Sequence, residues 1–121
     1  MVAVDGDRLQ LDIPIVDAID RRLGGGEVIP IRGEGRVRQV GVEDLRLSSA
    51  SRGETDEEHG WTAVILSRAE DCWVRRVTVE HFGYAAVSIE DASRFNTMEE
   101  VAMLDPHSEI SGGRRYAFNV S

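Results

Sequence analysis

The chain has 121 residues, one domain's worth at most. Its net charge is −8 and all 14 basic side chains are arginine; this acidic balance argues against non-specific binding to nucleic acid or to an anionic membrane, both of which need a basic field. A single cysteine, Cys72, excludes an internal disulfide framework, and no run approaches the length of a membrane-spanning helix.

Met1-Val2-Ala3-Val4-Asp5 does not read as a signal peptide. Asp5-Gly6-Asp7 is a turn signal, and Leu9, Leu11, Ile13 and Ile15 alternate with polar residues, which predicts a strand near residues 8–13. Pro14 can open a helix, and Ile15, Ala18, Ile19 and Leu23 share one helical face before Gly24-Gly25-Gly26. Residues 15–23 therefore read as a short amphipathic helix or, given their length and β-branched content, as an extended segment. A second short strand is expected at Val28-Ile29-Pro30-Ile31, with Pro30 marking an edge or a bend. Arg32-Gly33-Glu34-Gly35 lacks the spacing, and the Lys-Ser/Thr that follows, of a phosphate-binding loop. Residues 1–36 are expected to form a strand-and-helix cap region.

From residue 37 onward the chain repeats itself. Gly60-Trp61-Thr62-Ala63-Val64-Ile65-Leu66 returns 23 residues later as Gly83-Tyr84-Ala85-Ala86-Val87-Ser88-Ile89. A second element, an aliphatic residue, two charges and two aliphatics at period two, occurs three times. It reads Val42-Glu43-Asp44-Leu45-Arg46-Leu47, Val74-Arg75-Arg76-Val77-Thr78-Val79 and Met98-Glu99-Glu100-Val101-Ala102-Met103, at spacings of 32 and 24 residues. The longer spacing holds a polar loop insertion at 48–59. Short β-like runs at such a period are the signature of a solenoid, so the expected fold is all-β: a right-handed parallel β-helix of four to five coils over residues 37–121. Period-two parity places Val64, Leu66, Val77, Val79, Val87, Ile89, Val101 and Met103 in the core, and Trp61 above Tyr84 on the outside. Glu43-Asp44, Arg75-Arg76 and Glu99-Glu100 would stack as an acidic, basic and acidic ladder. The chain stops at Phe118-Asn119-Val120-Ser121, in what reads as mid-strand. The expectation is the first part of a longer solenoid, or a chain that pairs its open coil end with another copy.

Four segments carry a resemblance: Val40–Leu47, Asp56–Trp61, Cys72–Phe82 and Ser111–Tyr116. Together, over roughly residues 37–121, the chain resembles the early coils of large bacterial proteins of the pectate-lyase-like right-handed parallel β-helix superfamily. That resemblance implies an exported or cell-surface protein that binds or cleaves polysaccharide, as a lyase or glycoside hydrolase if it is an enzyme. No cofactor is assigned from the residues; a calcium ion is what the resemblance alone would allow. Its members continue for many more coils, so catalytic groups can lie outside this stretch.

Trp61 over Tyr84 meets the needs of a sugar-stacking platform, with Arg115 and Tyr116 beside it as further carbohydrate-binding candidates. The alternative is that the two rings pack under the 48–59 loop or against a neighbouring domain. His59, His81 and His107 are the candidates for a general base, and Arg114 and Arg115 for a bidentate hold on a uronate carboxylate. Equally, the arginine pair can be bonded to Glu109, Asp105 or the ladder carboxylates. Asp105-Pro106-His107-Ser108-Glu109 is no hydrolase triad, whose members converge from apart. Asp56-Glu57-Glu58-His59 lacks the ligand spacing of a calcium loop, and no metal set is assigned. The rival function is a non-catalytic assembly segment.

Overall fold

The computed structural model describes residues 3–29 and 35–121, and the chain divides into two units, residues 1–31 and 32–121. In the first, β1 (Ala3–Asp5) and β2 (Arg8–Gln10) form an antiparallel hairpin. Gly6, at φ 57°, supplies its turn. The expected strand over 8–13 thus stops at Gln10. The expected helix over 15–23 is reduced to a 3₁₀ turn at Arg21–Leu23, opened by Asp20, whose side chain accepts from the Arg22 N–H at 2.8 Å, and closed by Gly24 at φ 102°. The apolar face that predicted a helix stays in solvent: Ile15, Ala18, Ile19 and Leu23 are all exposed. Burial, more than propensity, holds short helices. Val28 and Ile29 are in no strand, whereas Pro30 and Ile31 lie outside the described residues.

The second unit contains β3 (Val37–Arg38), β4 (Gly41–Ser48), β5 (Thr62–Ser67), β6 (Ala69–Glu70), β7 (Trp73–Glu80), β8 (Ala85–Glu90), β9 (Thr97–Leu104) and β10 (Tyr116–Val120). They build three separate parallel sheets, in the orders β4-β7-β9, β10-β8-β5 and β3-β6. The expected solenoid of four to five coils is therefore corrected. Among the described residues no sheet exceeds three strands, and the third is a two-residue pair continued by one isolated bridge from Glu70 to Arg94. The reason is in the repeats: within residues 37–121 one element occurs three times and the other twice with a third partner in β10, too few for four to five coils.

Within each sheet, like meets like. Val64 pairs with Val87 and Leu66 with Ile89; Leu45, Val77 and Val101 lie in one column, and Leu47, Val79 and Met103 in the next. The buried core is Val74, Val77, Val79, Ala86 and Val87, with Val42, Leu47, Val64, Leu66, Val101 and Met103 packed around it. Val74 and Val77 both face inward although three residues apart, which a regular strand forbids. The cause is a left-handed residue in each strand, Asp44 (φ 57°), Arg76 (φ 52°) and Glu100 (φ 51°), which bends the chain and resets the parity.

The charged ladder is asymmetric. Arg75 pairs with Glu43, while Arg76 reaches Asp44 at 2.6 Å and Glu43 at 2.8 Å. Among the described residues neither arginine forms an ion pair with Glu99 or Glu100, although Arg75 stands in register with Glu99. The Arg75 hydrogen bond lowers the Glu43 carboxyl from its ordinary range, and the Arg76 hydrogen bond lowers that of Asp44. Both carboxyls therefore stabilise the fold above the ordinary carboxylate pKa and lose that contribution as pH falls through their depressed values. Replacing Arg75 and Arg76 together by Glu puts six acidic side chains in one stack, and thermal denaturation at pH 7 should show a clear fall in Tm. Because repulsion raises carboxyl pKa values, acid relieves the variant while it weakens the parent, so the gap should narrow towards about pH 4. A gap that is absent at pH 7, or that widens in acid, would contradict the ladder.

Candidate functional site

Strands β4, β7 and β9 end level, Ser48 beside Glu80 and Glu80 beside Leu104, so the connections that leave them start as neighbours. The Ser49 N–H donates to the Glu80 carbonyl at 3.0 Å and the His81 N–H to that of Leu104 at 3.2 Å. The same connections re-enter β5, β8 and β10 in step: the Gly83 N–H bonds the Gly60 carbonyl, the Tyr84 N–H that of Trp61, and the Tyr116 N–H that of Tyr84. Residues 49–61, 81–84 and 105–116 thereby form one loop cluster, which holds every candidate side chain named from the sequence.

Trp61 and Tyr84 are stacked, with ring centroids 6.1 Å apart and planes 11° from parallel. Tyr116 meets Tyr84 edge-to-face at 5.7 Å and 89°. The Arg114 guanidinium lies 5.6 Å from the Trp61 ring centroid. The flat faces of Trp61 and Tyr84 are thus engaged inside the column, and both residues are half-buried. Tyr116, 43 % exposed, is the ring that offers surface to solvent. Gly60 and Gly83, which head the repeat, are glycines for want of room. A Cβ on Gly83 would fall 2.4 Å from Trp61 Cζ3, and one on Gly60 would fall 2.7 Å from Ser49 Oγ and 2.9 Å from Phe82 Cε1.

The histidines have distinct tasks. His59 Nε2–H donates to the His107 carbonyl at 2.8 Å, its Nδ1 accepts from Ser49 Oγ at 2.9 Å, and Ser49 Oγ in turn accepts from the Gly60 N–H at 2.9 Å. Both ring nitrogens of His59 are committed, which makes it a strut for the 105–115 loop. His107 Nδ1 meets Ser51 Oγ at 2.5 Å. The rings of His81 and His107 stack at 4.3 Å, and both Nε2 atoms lie 3.3 Å from Asp105 Oδ2.

The arginines are also engaged. Arg114 forks Glu57, with Nη2 to Oε2 at 2.9 Å and Nε to Oε1, and this partner pulls the Glu57 carboxyl below its ordinary range. Arg115 donates from Nε to Ser108 Oγ at 3.2 Å and from Nη2 to the Ser108 carbonyl, while Ser108 Oγ donates to the Gly83 carbonyl at 3.2 Å. Ser108 is fully buried. The 48–59 loop is itself ordered by Asp56, which accepts from the backbone N–H groups of Arg52 at 2.8 Å and Glu58 at 3.0 Å; these bonds hold its carboxyl down at about 2.

Sequence reasoning missed Ser49 and Ser51 and set aside the segments holding Glu57 and Ser108, because each is a common loop residue whose partner is fixed by fold alone. The one available signal was register: Asp105 follows His81 by the same 24 residues that separate β9 from β7. No protein-family model, curated protein or solved structure matches this chain.

Proposed function

We propose that the loop cluster is a carbohydrate-binding surface for neutral polysaccharide, with Tyr116 as its contact ring. The observation that carries this reading is a half-exposed aromatic side chain, held edge-to-face by the stacked Trp61–Tyr84 column, whose Trp61 end carries Arg114 with its partner Glu57. An aromatic face packs against the apolar C–H face of a pyranose, and planar charged groups next to it hydrogen-bond the ring hydroxyls. Neutral polymers are favoured over polyuronates because the chain carries −8 and its two candidate cations, Arg114 and Arg115, already serve Glu57 and Ser108. The same engagement favours binding over lyase chemistry, which needs a cation free to neutralise the uronate carboxylate.

A panel of neutral and acidic polysaccharides, tested by affinity electrophoresis and calorimetry, examines this. Tyr116→Ala should weaken binding of the preferred neutral polymer roughly tenfold, about 1.4 kcal/mol, with Tm close to the parent's. Affinity for polyuronate alone, unaltered affinity in the variant, or no binding across the panel would each overturn the reading.

A further inference from the structure

We infer that His81, Asp105 and His107 form a binding site for a borderline divalent transition ion of the Zn²⁺, Co²⁺ or Ni²⁺ type. The inference is independent of carbohydrate binding and departs from the sequence reading, which assigned no metal.

Three donor atoms, His81 Nε2, His107 Nε2 and an Asp105 carboxylate oxygen, lie within 4.8 Å of one another. Asp105 Oδ2 is 3.3 Å from each Nε2. A tetrahedral centre with bonds of about 2.0–2.1 Å has ligand-to-ligand edges of roughly 3.3–3.4 Å. Two of the three edges are therefore already at coordination length. The imidazoles are stacked, 22° from parallel, with both Nε2 atoms 3.3 Å from the same oxygen; turning one ring about its side-chain torsions would swing its Nε2 lone pair onto an ion shared with the other two donors.

The fold builds this arrangement. His81 and Asp105 follow β7 and β9 at equivalent positions, and both adopt left-handed backbone, φ 64° and φ 43°. His107 is fixed twice, through its carbonyl by His59 and through Nδ1 by Ser51. His107 Nε2 is within hydrogen-bond distance of Asp105 Oδ2 at 3.3 Å, its ring proton sitting on Nε2 or, with Ser51 Oγ accepting it, on Nδ1. In the second tautomer Nε2 presents a lone pair towards the carboxylate, and that is the form which ligates a cation. Bonding of the distal nitrogen to an outer partner is also what orients metal-binding histidines generally.

The chemistry of the donors selects the ion. Two imidazoles and one carboxylate suit Zn²⁺, Co²⁺, Ni²⁺ or Cu²⁺, whereas Mg²⁺ and Ca²⁺ take all-oxygen sets. Burial is graded from His107, 13 % exposed in its side chain, through His81 at 34 % to Asp105 at 70 %. The ion would sit at the surface with a coordination position left for water or an exogenous donor.

The test uses the untagged full chain after chelator treatment. Calorimetric titration with ZnCl₂ should show saturable binding of one ion per chain and a rise in Tm. Co²⁺ should give the intense d–d absorption of a four-coordinate centre. Asp105→Asn and His81→Gln, both at solvent-facing positions, should each weaken Zn²⁺ roughly tenfold or more while the metal-free variants keep the parent's circular dichroism. MgCl₂ and CaCl₂ should produce no shift. Absence of saturable Zn²⁺ binding, binding unaltered in both variants, or a Ca²⁺ response equal to that of Zn²⁺ would overturn the assignment.

Discussion

Gly83→Ala should destabilise the protein by about 1–3 kcal/mol, a large effect for one methyl group. The added Cβ would stand 2.4 Å and 2.5 Å from Cζ3 and Cε3 of Trp61 and 3.1 Å from the His107 carbonyl oxygen. Neither neighbour yields easily. Trp61 is held by the stacked Tyr84 and by Arg114, and the His107 carbonyl accepts the bond from His59. Gly83 is itself buried, its N–H bonded to Gly60 and its carbonyl accepting from Arg115 and Ser108, so the backbone cannot retreat. The control is Gly112→Ala, where the new Cβ meets nothing within 4 Å and the backbone needs no left-handed conformation. That variant should be within about 0.5 kcal/mol of the parent. Chemical denaturation followed by tryptophan fluorescence measures both, and the Gly83 variant should also shift the native emission as Trp61 is displaced. Equal stability of the two variants would mean that the 61 and 83 connections are not packed as described.

The sequence carried the pairing of strands further than it carried the architecture. The register of Val64 on Val87 and of Val77 on Val101 could be written from the spacings of 23 and 24 residues, because parallel neighbours in this chain repeat one side-chain pattern. The solenoid of four to five coils inferred from that pattern over residues 37–121 required more copies than the three-stranded sheets β4-β7-β9 and β10-β8-β5 supply, and over residues 15–23 a helix was expected from a stripe that stays in solvent. Val74 escaped the core list because Arg76 adopts φ 52°, a conformation that an arginine does not advertise in sequence. The site divides in the same way. Trp61, Tyr84 and Tyr116 could be assembled from the glycine-headed repeat and the aromatic positions beside it. The Asp105 contact with His81 and His107 needed the level ends of β7 and β9, and the Glu57 fork on Arg114 joins residues 57 apart across two loops with no repeat between them.

Val77→Ala should cost about 2–3 kcal/mol, and more than Leu45→Ala, although leucine loses the larger side chain. The two residues belong to one column, Leu45, Val77 and Val101, on β4, β7 and β9. Val77 is on the central strand, 1 % exposed and in contact with the buried group of Val74, Val79, Ala86 and Val87, so truncation leaves a void that neighbours on both sides cannot fill. Leu45 is on the edge strand and 46 % exposed, so solvent replaces much of what is removed and the expected loss is about 1 kcal/mol. For a chain of this size the Val77 variant should melt roughly 6–15 °C below the parent. Differential scanning calorimetry at several protein concentrations reads both values. If Leu45→Ala costs as much as Val77→Ala, and the cost grows with dilution, the β4 edge is covered by another copy of the chain in solution. If the costs are equal at every concentration, Val77 is not the centre of the core. The difference between central and edge strands therefore measures, in one pair of variants, whether the three-stranded sheet β4-β7-β9 ends at β4.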